Sequence, residues 1–197
     1  MDKKIINLII AALVLVVVLL LLVVWKLCGI KPEVVPKPAV PTEGEELQAQ
    51  PIEDPVGEDG MKIHNSENGY SVKYPDSMTA KSMAKSIDFI LEDDESGSSL
   101  NIVTAKNDGS VKKLTREEFE ASLEQSSGNT ELIGYDDVML NGAEAVVAEY
   151  IYIDARVKQY IIITESYAYN ITVMESPYIT EEMSEVFKGV TESFVLN

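Results

Sequence analysis

The sequence predicts an α+β domain, an antiparallel sheet flanked by helices, carried behind an N-terminal transmembrane helix. Three observations predict it: an unbroken apolar run near the start, a proline- and glutamate-rich stretch after it, and then short alternating segments punctuated by Asn-Gly pairs. With 197 residues the chain has room for one ordinary domain plus appendages.

After a four-residue tail, residues 1–4, the run from Ile5 to Trp25 contains Leu, Val, Ile, Ala and Trp with Asn7 as its single polar side chain. A helix of that length spans about 31 Å, which matches a hydrocarbon core of roughly 30 Å. Ile5, Leu13 and Leu20 mark the lipid-facing length of this anchor. Trp25 followed by Lys26 reads as its interfacial end, which sets the helix at residues 5–26. The apolar centre is too long for a removable signal peptide, and no small-residue cleavage site follows it. Cys28 is the single cysteine, so no intrachain disulfide forms; Trp25, Lys26 and Leu27 before it are unlike the small residues that precede an acylated cysteine. Lysines flank the run on both sides, Lys3 and Lys4 against Lys26, Lys31 and Lys37, so charge alone nearly balances. A short tail ahead of a long following domain is the common signal-anchor arrangement. The expected topology is a cytoplasmic N-terminus with the C-terminal domain outside.

Residues 27–60 read as a disordered tether. Pro32, Pro36, Pro38, Pro41, Pro51 and Pro55 are interleaved with eight acidic side chains, and both features favour an extended, self-repelling chain. Pro38 and Pro41 also have the spacing of a proline-rich recognition motif, a pattern equally common in plain spacers.

The domain is expected over residues 61–197. Asn68-Gly69 joins strands at Lys62 to Asn65 and Tyr70 to Tyr74, and Pro75 ends the second. Ile87 to Leu91 and Ser99 to Ala105 form a second hairpin around the polar loop Glu92 to Ser98. Thr115 and Glu118 make a capping box for a helix at about Arg116 to Gln125, with Phe119 and Leu123 on its apolar face. Four strands follow, at Glu131 to Leu140, Ala145 to Asp154, Val157 to Glu165 and Ala168 to Met174, the first two joined by Asn141-Gly142. Thr180 opens a last helix whose Met183, Val186, Phe187, Val190 and Phe194 fall on one stripe. Tyr150, Ile151, Tyr152 and Ile153 make a strand apolar on both faces, so the sheet needs at least partial cover on each side.

The run Asn68-Gly69-Tyr70-Ser71-Val72-Lys73-Tyr74-Pro75 is one of four ordered motifs. The others are Asn141-Gly142-Ala143-Glu144-Ala145 leading to Glu149-Tyr150, Tyr169 with Ile171-Thr172, and Thr191-Glu192-Ser193-Phe194. Together they resemble the PsbP-like domain pattern, shared with DcrB-type bacterial envelope proteins. The resemblance implies an α/β/α sandwich, a location outside the cytoplasm, and a role in assembling or supporting other complexes; it implies no catalytic residues. Met78 departs from it, since relatives often carry a tryptophan soon after the Tyr-Pro pair.

The net charge of -17 disfavours nucleic acid and anionic lipid surfaces as partners. His64 is the single histidine, which excludes zinc clusters built on several histidines and leaves a Ser-His-Asp triad one strand residue to use. Asp93, Asp94 and Glu95 offer hard oxygen ligands on a turn, as calcium prefers, without the spacing of an EF-hand; a solvated loop is the simpler reading. Asp136 and Asp137 are adjacent and would point to opposite faces of a strand. Tyr150, Tyr152, Tyr160, Tyr167 and Tyr169 concentrate in the meander, where tyrosine serves both strand packing and, when exposed, recognition.

The sequence therefore points to a noncatalytic binding or assembly module tethered to a membrane, without cofactor, acting on another envelope protein or complex. An envelope hydrolase using dispersed carboxylates, or a sensor of a small ligand or calcium, are the alternatives. The topology is testable directly: a reporter that works only outside the cytoplasm, fused after Asn197, should be active, and activity of a cytoplasm-only reporter at that position would invert the orientation.

Overall fold

A computed structural model of the protein describes residues 49–83, 87–126 and 130–197. The predicted anchor, with Ile5, Leu13, Leu20, Trp25, Lys26 and the neighbouring Cys28, lies outside the described residues, as does most of the predicted tether. Among the described residues no helix is long and apolar enough to cross a membrane.

Among the described residues eleven strands and two helices follow one another: β1 (Gln50–Pro51), β2 (Met61–Ser66), β3 (Tyr70–Pro75), β4 (Lys81–Met83), β5 (Ile87–Asp93), β6 (Ser98–Lys106), α1 (Arg116–Ser126), β7 (Thr130–Leu140), β8 (Ala143–Tyr152), β9 (Ala155–Ile163), β10 (Tyr167–Glu175), α2 (Glu181–Glu192) and β11 (Val195–Leu196). Eight strands form one antiparallel sheet in the order β1-β4-β5-β6-β10-β9-β8-β7, and β11-β3-β2 form a second, smaller one.

The inner face of the large sheet is set by register. Ile171 of β10 stands opposite Ile102 of β6, and Tyr169 opposite Ile162 of β9, so these side chains project to one side with Phe89 and Leu91 of β5. Against them lie Tyr70, Val72 and Tyr74, the alternate residues of β3, and Phe187, Val190 and Phe194 from α2 and the segment after it. The core is therefore closed by the small sheet and α2 together. The α/β/α sandwich expected from sequence gains this second sheet on its inner side.

Local chemistry explains the elements. Thr180 caps α2 by accepting from the Met183 amide at 3.2 Å, and Glu181 and Glu182 complement the positive end of the helix dipole. At the other end Asn141, in the β7–β8 turn, donates its side-chain amide to the carbonyls of Glu192 and of Phe194, satisfying groups left open where the helix stops. Asn141 and Gly142 both take positive φ, 47° and 86°, as a two-residue hairpin turn of this type requires. The β2–β3 turn is a three-residue loop ending on Gly69 at φ 83°, a left-handed conformation that favours glycine and brings its backbone beside the Tyr169 hydroxyl.

Residues 49–60, assigned above to the tether, join the domain. β1 pairs with β4, and the Ile52 amide donates to the Ala80 carbonyl at 2.8 Å. The Asp54 carboxylate accepts from the Tyr74 hydroxyl and pairs with His64 Nδ1, both at 3.1 Å. His64 is thus a half-buried strand residue, packed against the rings of Tyr70 and Phe89, whose ring nitrogen locks this segment to the sheet. Met78 packs against the core, and its carbonyl accepts from Lys62 at 3.1 Å.

One turn carries strain. Ile153, first of the two residues between β8 and β9, sits at φ 58° with its side chain 62% exposed. A β-branched residue there clashes with its own backbone, and glycine does not. Ile153→Gly is therefore expected to raise unfolding stability by about 0.5–1 kcal/mol in denaturant melts, after the entropy that glycine adds to the unfolded chain; a loss of that size would show that the isoleucine makes a stabilising contact instead.

Candidate functional site

The connection from β6 to β7 has to pass β10, β9 and β8, and it does so on the outer face of the large sheet, carrying α1 with it. Asn107 starts the crossing: its amide donates to the Thr164 carbonyl at 2.7 Å and its oxygen accepts from the Gly109 amide at 2.9 Å. Farther along, Lys113 pairs with Asp137, an interaction that holds the lysine pKa above its usual value, and the Tyr135 hydroxyl donates to the Leu114 carbonyl at 2.5 Å. The predicted capping box then forms: Glu118 accepts from the Thr115 amide at 2.8 Å, and the Thr115 hydroxyl accepts from the Glu118 amide at 3.2 Å. Phe119 docks the helix between the rings of Tyr135 and Tyr150, at 5.5 and 6.2 Å between centroids.

This cover is too small for the face beneath it. An eleven-residue helix is about 16 Å long and roughly 10 Å wide with its side chains, whereas five strands about 4.8 Å apart span roughly 19 Å and each runs farther still along its length. Open grooves remain on either side. One, of about 540 Å³, has Val146, Ile161 and Ile163 as its apolar floor, Met139 at its side, and Glu144 with the Lys113–Asp137 pair at its rim. The other, of about 390 Å³, is floored by Asn101, Thr172, Met174, Val157, Tyr150 and Tyr152, with Leu123 of α1 as a wall. An adjoining cleft of about 310 Å³ shares Leu123 and Thr130 and is edged by Glu120, Glu124 and Glu131.

The five tyrosines singled out in the sequence are divided between faces. Tyr150 and Tyr152 line the second groove; the Tyr150 hydroxyl donates to Gln159 at 3.3 Å, and burial pushes its pKa above the usual phenol value. Tyr169 is buried on the inner face, 3% exposed, and its hydroxyl donates to the Asn68 carbonyl at 2.8 Å, so it holds the β2–β3 turn and is not available for recognition. Tyr167 packs beside Tyr169, with centroids 6.0 Å apart. Tyr160 lies under the Lys158 ammonium in a shallow depression beside α2, where Arg156, Glu149, Glu175 and Lys188 interleave their charges.

The candidate calcium residues sit in the β5–β6 turn. Asp93 accepts from the Glu95 amide at 3.3 Å and from the Ser96 hydroxyl at 2.5 Å, so its carboxylate serves the turn itself. Ser176 ties the same turn down by donating to the Ser96 carbonyl at 2.6 Å. Among the described residues no three histidine, cysteine or acidic side chains come together as a metal-holding group. Asp136 and Asp137 face opposite sides of β7, as their adjacency requires.

Val146, Ile161, Ile163, Met139 and the cleft glutamates were not singled out in the sequence. The signal that finds them is a mismatch: strands apolar on both faces, and for the outer face a single short helix with two apolar side chains.

Fold and site together define a PsbP-like α+β domain with one sealed and one partly open sheet face. The sequence matches no family model and no curated protein. In structure it is similar to cyanobacterial PsbP, CyanoP, from Synechocystis, with a TM-score of 0.53 at 13% identity over 72% of this chain and 95% of that one. A Pseudomonas aeruginosa protein of unknown function, PA94, aligns with a TM-score of 0.44 at 15% identity, over 70% of this chain and 97% of that one. The CyanoP likeness establishes the PsbP-like fold of the domain.

The docking of α1 yields a local prediction. Phe119→Ala removes the ring that packs on Tyr135 and Tyr150, a change that costs ~3 kcal/mol in a well-packed site. Amides of α1 should then exchange with solvent much faster while those of β6 and β10 keep their protection; equal acceleration in both would mean that α1 supports the whole sheet.

Proposed function

We propose that this chain is a noncatalytic binding or assembly module, tethered to a membrane and facing outside the cytoplasm, whose partner surface is the outer face of the large sheet. The observation that carries this is the pair of grooves that α1 leaves open, with apolar and tyrosine-bearing floors. Apolar concavities with a few polar groups at the rim are the usual form of a binding site, and contiguous apolar surface exposed on a folded domain commonly marks interaction. The PsbP-like fold is compatible with such a role but does not specify it. Support for the tether is the length and polarity of the run from Ile5 to Trp25. Its partner on this reading is another envelope protein or complex, since the acidic charge opposes nucleic acid.

A photo-activated cross-linking side chain placed at Met139 or Tyr152 in the full chain should give adducts of discrete, reproducible mass in intact membranes. The same group at Glu185, on the exposed side of α2, should give none. Adducts at Glu185 alone, or at no position, would remove the outer face as the partner surface.

A further inference from the structure

We propose that the β8–β9 turn of one copy of this chain seats in the groove beside Met139 on a second copy, so that the domains join head to tail. The inference rests on the reading of the outer face as a binding surface and names the occupant of its first groove.

The turn supplies the first observation. Among the described residues every other position with positive φ is a glycine or Asn141, residue types that adopt this conformation readily; Ile153 adopts it at φ 58° and leaves its side chain 62% exposed. Residues held in such conformations cluster where a protein makes functional contacts. Tyr152 beside it is 37% exposed, so two large apolar side chains stand together at the tip. The tip is also held firmly. Tyr152 pairs with Thr130 on one side and Ala155 on the other, and Arg156 pairs with Glu175 of β10, so little ordering entropy is lost when the turn binds.

The groove has the complementary form. Its floor centres on the cross-strand pair Val146 and Ile161, with Ile163 beyond and Met139 at the side, and its volume of about 540 Å³ has room for an isoleucine and a tyrosine side chain together. Ile153 lies seven residues beyond Val146, about 23 Å along the strand direction of one continuous sheet. The turn therefore does not reach its own groove, and the contact is made between copies. An apolar projection that fits a pocket elsewhere on the same molecule makes a heterologous contact, which leaves a free turn at one end of each pair and a free groove at the other.

Charge limits the strength of this contact. The chain carries -17, so copies repel one another, but that repulsion is screened beyond about 8 Å at physiological salt. Lys113 at the groove rim gives one of its ammonium donors to Asp137 and keeps others for Asp154 of an arriving turn, while Glu144 on the same rim adds to the repulsion. A contact two side chains wide is weak in free solution. Copies anchored in one bilayer meet at a high effective concentration, which makes a weak contact sufficient.

The test uses the full chain in vesicles of zwitterionic lipid, with donor and acceptor dyes on separate pools at the single cysteine, Cys28, and reads energy transfer against protein density. Transfer should exceed that of randomly distributed copies and should rise with ionic strength, as an apolar contact between like-charged molecules does; a fall would show a contact made by charge and overturn the proposal. Ile153→Gly, expected above to be the more stable protein, should need about tenfold higher density for the same transfer, because the isoleucine side chain is no longer buried on contact. Met139→Gln with Ile163→Gln, at side chains already partly exposed, should act in the same direction. Donor-labelled Ile153→Gly keeps an intact groove and the acceptor-labelled groove variant an intact turn, so their mixture should recover transfer that neither gives alone. Random transfer throughout, equal transfer in every variant, which would place association in the N-terminal segment, or no recovery in the mixture would each overturn the proposal. In intact membranes the cross-linking group at Met139 should give an adduct of twice the chain's mass. If adducts there contain other proteins only, this inference falls and the outer-face reading stands; if no adducts form on that face, the reading itself falls.

Discussion

The rest of the domain depends on the contact of three rings from distant parts of the chain. Tyr70 of β3 stacks on Phe194, which follows α2, with centroids 5.3 Å apart, and Tyr169 of β10 meets both edge-on at 5.8 and 5.7 Å. Each ring belongs to a different layer or connection, so their packing holds the small sheet, the end of α2 and the large sheet in one arrangement. The Tyr169 hydroxyl then reaches past Gly69 to the Asn68 carbonyl, which fixes the turn that starts β3. Burial of three such rings is among the largest apolar contributions the domain has, and edge-to-face geometry adds to it.

That closure creates the asymmetry on which the site rests. One helix and a whole second sheet, the C-terminal strand β11 included, are committed to the inner face, and among the described residues the outer face has the β6–β7 crossing alone. The crossing is held at its start by Asn107, along its length by Lys113 and Leu114, and on the helix by Phe119. Of the apolar residues that alternate outward on β8 and β9, Ala148 is fully buried, whereas Ile161 and Ile163, on the floor of the first groove, stay partly open. Groove and strap are thus two consequences of one short connection.

Much of this was legible from residues whose meaning is local. The capping box at Thr115 and Glu118, the Asn141-Gly142 turn, the N-cap Thr180 and the stripe on α2 need neighbours only a few residues away, and the structure has each of them. Strand order is set by contacts between distant residues, and nothing near Tyr70 in sequence says that its hairpin leaves the large sheet to pair with Val195 and Leu196. Composition misled at residues 49–60: prolines and acids outnumber the two side chains that matter, Ile52 against the core and Asp54 on His64 and Tyr74. The tyrosines show the same limit. Spacing of two places Tyr150 with Tyr152 and Tyr167 with Tyr169, but which pair faces solvent depends on the register between β8, β9 and β10.

The sheet borders, by contrast, are built against the addition of another strand. An exposed edge strand invites pairing with another chain, and β7 is eleven residues long. Its register breaks between Leu132 and Gly134, and Asp136 and Asp137 place charge on both of its sides, features that oppose a continuous added ladder. At the far border β1 is two residues long and ends on Pro51, which has no amide hydrogen to donate. In the small sheet β11 is equally short, and β2 is flanked by the Val56–Lys62 bridge and by the bond from the Ile63 amide to the Pro55 carbonyl. Each border is shortened, kinked, charged or covered. On the reading proposed above, a partner is then held by side-chain surface, which the outer face offers on either side of α1.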